Sequence, residues 1–494
     1  MAKFILYQML VRVMGDRKWI PGGDYATNGS GKFNDISQEY LDSLKKDLSL
    51  GAIWYTGIIA HSTATSFEGF PADCTAIVKG KAGSPYAIRD YYDVAPELAV
   101  DTARRLDEFK ALVARTHKAG LKVVIDFVPN HVARSYHSAT NNFTQANFFT
   151  LDGPLELPHN IAGRDQYDED PALATGNDCF SRHPGITDWY DTVKLNYNYR
   201  LTWDKMLDIL LYWAGMGVDG FRCDMVELVT PEFFEWAISS VRQQYPGTFF
   251  IAEVYDKRNY IKYAAAGFNY LYDKSGFYDA LKAISTYREP AYWLTDEWQF
   301  LGALQPRMLN FLENHDEQRI ASDYYLGDAR KAFAPLAVSM LFNKAPFMIY
   351  CGQEYGERGM ASEGFSGQDG RTSIFDYCTL TYRDTPQYLQ KEVHERYRQL
   401  TALAVSDIFA NGGTFDLMYA NPSSEIFDAQ RVFTFLRGHN GRTALVAANF
   451  SDAVKHIKIS IPQDAYDYFG VSRVQKFEEP ITLNPFDYIV LLSE

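Results

Sequence analysis

Residues 121–131 read LKVVIDFVPNH, a run of apolar and β-branched side chains that ends in Asp126, Asn130 and His131. A short apolar run of this kind is expected of a strand buried on both faces, as in a parallel sheet. Just upstream, Leu106, Phe109 and Val113 recur at helical spacing and the pattern stops at Gly120, which predicts an amphipathic helix packed on that strand. Downstream, Met206, Leu210 and Trp213 form a second stripe, followed by VDGFRCD from Val218, another apolar run ending in charge. Helices alternating with buried strands predict parallel strands joined by helical crossovers.

The same alternation extends in both directions. Six further runs read as strands: FILYQMLVRV from Phe4, GAIWYTGIIA from Gly51, TFFIAEV from Thr248, FNYLYD from Phe268, RMLNFLENHD from Arg307 and PFMIYCG from Pro346. Eight strands with helices between them predict an α/β fold, a closed (β/α)₈ TIM barrel spanning residues 1–131 and 200–404. Residues 132–199 are rich in Asn, Asp, Gly, Pro and His and far exceed an ordinary βα loop, so they are expected to form an insertion domain after strand 3. From residue 405 to 494 strands follow without helices. VFTFLR and TALVAANF flank the turn GHNGR, then come HIKISIP and ITLNPFDYIVLLS, predicting a C-terminal antiparallel β-sandwich domain.

Composition narrows the function classes. The chain has 494 residues, 47% hydrophobic and 22% charged, and a formal net charge of −14. That balance disfavours nucleic-acid partners, whose phosphates need Lys and Arg, and no apolar run approaches a membrane span. A neutral substrate is compatible, and the 34 Tyr, 33 Phe and 8 Trp supply flat faces that suit sugar rings as well as cores. The five cysteines are scattered with no C-x-x-C pair, predicting reduced thiols rather than a disulfide framework or zinc site. His137, His159, Cys179 and His183 in the insertion follow no zinc spacing either. MAKFILYQMLV reads as a strand with no cleavage site after it, so the expected location is cytoplasmic; a secreted or periplasmic chain trimmed of its signal would read the same.

Barrel strands deliver their C-terminal ends to one mouth, so polar residues ending apolar runs mark a candidate site. Strand 3 gives Asp126, Asn130 and His131; strand 4, Arg222 and Asp224; strand 5, Glu253; strand 7, His315 and Asp316. Cleaving a glycosidic bond needs one carboxyl group to protonate the leaving oxygen and another to attack carbon or activate water. Arg222 and Asp224 are two apart on one strand face, so the guanidinium is expected to hold Asp224 ionised as the nucleophile. Glu253 adjoins Val254 and Tyr255, surroundings expected to favour the protonated carboxyl of a general acid.

DFVPNH, GFRCDMVEL, FIAEVYD and FLENHD, in this order, resemble the four signature regions of the α-amylase family of glycoside hydrolases. The resemblance covers nearly the whole chain and implies the same barrel, insertion and C-terminal β domain. It implies a retaining mechanism with Asp224 as nucleophile, Glu253 as acid/base and Asp316 as a transition-state stabiliser. It further implies that His131 and His315 bind the sugar, that Arg222 supports Asp224, and that Asp126 is a structural member of the site. Tyr86, in GSPYAIRDYYDVAP, matches the ring that stacks on the sugar. Trp189, Tyr190 and Tyr255 are candidates for neighbouring sugar subsites.

Two segments depart from the family's usual patterns. TVKLN (residues 192–196) resembles the MPKLN of neopullulanase and cyclomaltodextrinase relatives but lacks its Met-Pro. Glu227 and Leu228 stand where classical α-amylases have a Lys and a His that serve substrate and calcium binding. No cofactor is expected for the chemistry, and a structural calcium ion is left open, with Asn130, Asp165 and Asp168 as candidate oxygen donors. The reading is a hydrolase of α-1,4-glucosidic bonds in starch-like glucans or maltooligosaccharides. Its alternatives are an α-glucan transglycosylase, a neopullulanase/cyclomaltodextrinase-type enzyme and, from another class, a non-catalytic glucan-binding protein. Chain-length and linkage preference are expected to reside in the insertion and in the segments CGQEYGERG and EGFSGQDGRTSIFD.

Overall fold

The computed structural model describes residues 3–158, 166–360 and 369–493. His159, Asp165 and the start of the EGFSGQDGRTSIFD segment lie outside them. Eight parallel strands close into a barrel in chain order: β1 (Ile5–Leu10), β2 (Leu50–Thr56), β3 (Lys122–Phe127), β4 (Gly220–Cys223), β5 (Phe249–Ala252), β6 (Tyr270–Tyr272), β7 (Met308–Phe311) and β8 (Phe347–Tyr350), which returns to β1. Each of the eight apolar runs supplies one strand, because barrel strands are covered on both faces and have no need of polar alternation.

Alternation governs what lies inside. Leu6, Trp54, Val124, Ile251, Tyr272 and Phe311 belong to the barrel's inner apolar cluster, while Ile5, Tyr7, Ile53, Val123 and Phe250 pack outward with the helices. One period beyond the inner residues, the same face carries Gln8 on β1, Asp126 on β3 and Glu253 just past β5. The inner face of β4 runs Gly220, Arg222, then Asp224 past its end. Gly220 is there for space: a β-carbon would sit 2.7 Å from the Phe249 ring.

The two helices read from periodicity are Arg105–Lys118 and Arg200–Gly215. Phe109, Val113, Met206, Leu210 and Trp213 are buried against the barrel. Burial of each such side chain contributes about 1.5–3 kcal/mol against leaving it in water. Beyond β3 the chain forms the short strand His131–Ala133, which pairs antiparallel with Thr192–Lys194 and so closes the base of the insertion. Leu155, Leu157, Ala172 and Tyr190 make a small apolar cluster there with Ala76 and Ile77 from the segment after β2.

The C-terminal strands β9 (Gly413–Asp416), β10 (Val432–His439), β11 (Arg442–Asn449) and β12 (Tyr488–Leu492) form one four-stranded antiparallel sheet. A separate antiparallel pair joins Lys455–Ile457 to Ile481–Leu483, with the helix Gln463–Phe469 between them in sequence. ITLNPFDYIVLLS, read as one run, is broken between Leu483 and Tyr488, where Pro485 removes a donor and Phe486 takes φ +55°. Arg437 on β10 ties the sheet to the barrel by donating to the carbonyl of Leu341 at 3.0 Å, and to the entry of its own domain through the carbonyls of Phe409 and Gly412 at 2.8 and 2.7 Å. Among the described residues no helix is long and apolar enough to cross a membrane, and the five cysteines are unpaired.

Candidate active site

Strand register assembles the site. Asp126 is the register partner of Arg222, and Cys223 that of Ala252, so the next residues, Asp224 and Glu253, emerge side by side. The amide of Asp224 donates to Phe127 O at 2.9 Å and that of Glu253 to Cys223 O at 3.1 Å, fixing both backbones. Above them opens a cleft of about 840 Å³ lined by Asp224, Glu253, Asp316, Tyr86, His131 and His315 together with Trp189, Tyr190 and Tyr255. Asp126 and Arg222 lie buried beneath it. Asp224, Glu253, Asp316, Tyr86, Asp126, His131, Arg222 and His315 thus belong to one constellation.

Arg222 is its hub. Nη1 donates to Asp224 Oδ1 at 2.6 Å and lies 3.6 Å from Asp126 Oδ1, while Nη2 stands 2.5 Å from Glu253 Oε1. Its Nε donates to the Tyr272 hydroxyl at 3.3 Å, and the guanidinium lies 5.3–5.5 Å from the Trp54, Tyr86 and Tyr272 rings. Arg222 thus holds Glu253 and Asp126 as well as Asp224, the partner that spacing along the strand suggests. One positive charge is shared among several buried carboxylates, and burial together with the Glu253 charge pushes Asp224 well above the usual carboxylate range despite Arg222. Burial, with Glu253 second, raises Asp316 to about 8, and burial raises Asp126 to about 6. The cluster therefore retains protons in the neutral range and titrates as a group.

The surroundings of Glu253 also differ from those read in sequence. Val254 is buried, but Tyr255 presents its hydroxyl, which donates to Glu253 Oε1 at 3.0 Å. Met225 N donates to Oε2 at 2.8 Å. That donor is aimed by a left-handed turn at Met225, φ +42°, a conformation costly for a side chain of this kind and concentrated at functional sites.

His315 is held on every side. Gln8 Nε2 donates to Nδ1 at 2.7 Å, which leaves the ring proton on Nε2, facing Tyr86 Oη at 2.5 Å and Asp316 Oδ2 at 3.2 Å. Tyr86 stacks on the ring at 5.3 Å, and its hydroxyl also donates to Asp126 Oδ1 at 3.3 Å. Burial and then the Arg222 charge keep His315 neutral. His131 is neutral as well, lowered to about 3 by burial and then by the charges of Lys194 and Lys79, with Trp189 at 5.2 Å from its ring.

Several residues at the site were not singled out from sequence. Gln8 is a fully buried amide inside FILYQMLV, and that mismatch of polarity was the available signal. Trp54, whose Nε1 donates to Asp126 Oδ2 at 3.1 Å, and Tyr272 are aromatic residues in apolar strands and carry no such signal. Lys79, Glu317 and Arg371 line the cleft from loops whose geometry the sequence does not report.

The residues of the two departing segments have structural employment. Glu227 accepts from Tyr255 N at 2.8 Å, Asp256 N at 3.3 Å and Asn259 Nδ2 at 2.7 Å, capping the loop that follows Glu253. Lys194 Nζ donates to Asn130 Oδ1 at 2.9 Å and Leu228 O at 3.3 Å, and pairs with Asp178. An ammonium thus sits where Asn130 would offer its oxygen to calcium, and Asp168 is exposed to solvent. Calcium takes six to eight oxygen ligands, water included, and cannot share Asn130 Oδ1 with an ammonium, so Asn130 and Asp168 as they stand do not fit one. Among the described residues no group of three or more His, Cys, Asp or Glu side chains could hold a metal; His183 instead approaches Glu156 at 3.1 Å.

Comparison with known proteins follows the same lines. A family model described as alpha amylase, catalytic domain, matches residues 23–274. Alpha-amylase 2 of Dictyoglomus thermophilum is 22% identical over 439 residues, 86% of this chain and 67% of that protein. The cyclomaltodextrin glucanotransferase of Bacillus licheniformis is 24% identical over 382 residues, 73% of this chain, which spans only 47% of that relative's length. Among solved structures, a noncanonic maltogenic alpha-amylase from Thermotoga neapolitana superimposes with a TM-score of 0.66 at 20% identity, covering 99% of this chain and 96% of the other. The cyclic alpha-maltosyl-(1→6)-maltose hydrolase of Arthrobacter globiformis does so with a TM-score of 0.70 at 17% identity, covering 99% and 98%.

Proposed function

Because this chain belongs to the α-amylase family of glycoside hydrolases, we propose that it cleaves α-1,4-glucosidic bonds of starch-like glucans or maltooligosaccharides, with retention, through a glycosyl-enzyme intermediate. The observation that carries the reading is that Asp224, Glu253 and Asp316 open onto one cleft around a single guanidinium. Hydrolysis needs an ionised carboxylate to attack the anomeric carbon and a proton for the departing oxygen. Carboxylates that outnumber their counter-charge can provide both, because the group cannot ionise completely.

In this reading Asp224 attacks, supported by Arg222. Glu253 gives its proton to the leaving oxygen and then takes one from the incoming water. Asp316, His315 and His131 grip sugar hydroxyls, and Tyr86 offers its ring to the sugar face. Trp189 and Tyr255 line the same cleft and would hold a neighbouring sugar; transglycosylation is the second reading, for the case in which that sugar replaces water.

The test is kinetic and chemical. Asp224→Asn and Glu253→Gln are each expected to lower kcat by about 10³-fold or more with the fold retained. Azide is expected to restore turnover to Asp224→Gly by entering the vacated position, giving a sugar azide of inverted configuration. A panel of starch, pullulan, cyclodextrin, maltose and sucrose, with product sizing, separates the linkages; with maltotriose as the sole substrate, early oligomers longer than maltotriose mark transfer over hydrolysis. Full activity in both carboxylate variants would overturn the assignment; binding of the panel without release of reducing ends would leave a glucan-binding protein instead.

A further inference from the structure

Lys194 brings one ammonium to the point where three separate segments meet. Asn130 follows β3, Leu228 lies in the turn after β4, and Asp178 belongs to the insertion. Each supplies one oxygen to Nζ: Asn130 Oδ1 at 2.9 Å, the Leu228 carbonyl at 3.3 Å, and the Asp178 carboxylate in an ion pair. A lysine ammonium has three protons to donate, and these three acceptors use them all. The Lys194 side chain is only 10% exposed, so the charge is largely withdrawn from water and depends on these partners.

The contacts run on into the cleft. Asn130, its oxygen fixed by Lys194, turns Nδ2 to Gly176 O at 2.6 Å and to His131 Nδ1 at 3.2 Å. Lys194 and His131 are also register partners in the strand pair that closes the insertion. Gly176 packs so closely that a β-carbon would lie 2.8 Å from His131 Cγ. Removing the ammonium would leave Asn130 Oδ1 and Leu228 O without their donor, and would free the amide that braces the His131 ring.

We propose that Lys194 is a built-in cation that fastens the insertion to the barrel in place of a bound metal ion, and that it is a positioning residue for His131. Divalent ions are then not needed to hold the two parts together, and the three oxygens that receive the ammonium would accept calcium if the lysine were replaced by a carboxylate.

The test uses the full chain. The wild-type melting temperature and kcat are expected to be the same in a chelator as in millimolar calcium chloride. A fall of several degrees on chelation, reversed by calcium, would overturn the proposal whatever the variants do. Lys194→Met is expected to melt several degrees lower and to lose about tenfold in kcat with a smaller change in KM, because His131 is displaced from the reacting sugar. Unchanged melting and kinetics would overturn it. Lys194→Asp is expected to be destabilised without calcium and to regain several degrees with it; no calcium response would show that the three oxygens do not converge on one cation. The melting measurements are independent of the proposed hydrolysis, so a chain that failed to cleave glucans would still answer for Lys194.

Discussion

Arg222 Nη2 stands 2.5 Å from Glu253 Oε1 while the other arm of the same guanidinium holds Asp224. The pairing couples the two carboxylates, since what one takes from Arg222 the other loses. Arg222 lowers the pKa of Asp224, Asp126 and Asp316 alike, in each case against a larger opposing effect of burial. Arg222→Gln removes that charge and leaves the carboxylates facing one another. The expected result is a loss of about 10²–10³ in kcat/KM. The acid limb of the pH profile should also move to higher pH, because Asp224 would hold its proton longer. A profile unmoved on its acid side would show that the guanidinium does not set the ionisation of the site.

Gln8 and His315 are 307 positions apart in sequence and 2.7 Å apart in the barrel. The amide fixes which ring nitrogen carries the proton, and hence which atom of His315 can donate toward a sugar hydroxyl. Gln8→Leu is expected to cost about tenfold in kcat/KM, with the barrel still folded because leucine suits the apolar interior. Gln8→Glu should cost more: a carboxylate at Nδ1 would favour a protonated ring, raising the His315 pKa from its depressed value. Activity recovering at higher pH in Gln8→Glu, but not in Gln8→Leu, would distinguish the charge effect from loss of packing.

What the sequence revealed and concealed has a common physical basis. The barrel strands were legible because burial on both faces makes them apolar, and Asp126, Asp224 and Glu253 stood out as charge ending such runs. The partnership of Arg222 with Asp224 followed from spacing within one strand. Its partnership with Glu253 did not, because it depends on how β4 and β5 are staggered. The sequence likewise suggested an ionised Asp224, whereas burial and the neighbouring Glu253 leave it raised despite Arg222. Glu227 and Leu228 were visible as departures from a pattern, and Lys194 as a residue that TVKLN shares with MPKLN. Their contacts, an ammonium among three oxygens and a carboxylate capping a loop, needed the folding together of segments 28 to 64 residues apart.

Glu227 makes a specific prediction of that kind. Its carboxylate accepts from two backbone amides and one side-chain amide of the 255–259 loop. Glu227→Ala would leave those half-buried donors unpaired, at a cost of about 1–3 kcal/mol. Tyr255, whose hydroxyl reaches Glu253, would lose its backbone anchor. A lower melting temperature with reduced kcat is expected, and Glu227→Gln should fall between the variant and the wild type because it keeps an acceptor oxygen. Equal behaviour of the alanine and glutamine variants would mean that the cap is not what places Tyr255.

Asp316 carries a cost in stability that can be read by pH. An unfolded aspartate ionises near 4, whereas Asp316 in the folded chain is raised to about 8 by burial and by Glu253. Between those values the folded chain keeps a proton that the unfolded chain has released, so stability falls as the pH rises from ~4 to ~8. Asp316→Asn removes this titration, while the side chain's approach to His315 preserves its place in the cleft. A quarter of the Asp316 side chain meets the cleft's water, which screens the charge and holds the gain below that of full burial. The variant is therefore expected to match the wild type near pH 4 and exceed its stability by about 1–2 kcal/mol near pH 8, while its activity collapses. Thermal melts of both proteins across that range test the relation, and a wild type that stays the more stable at pH 8 would refute it.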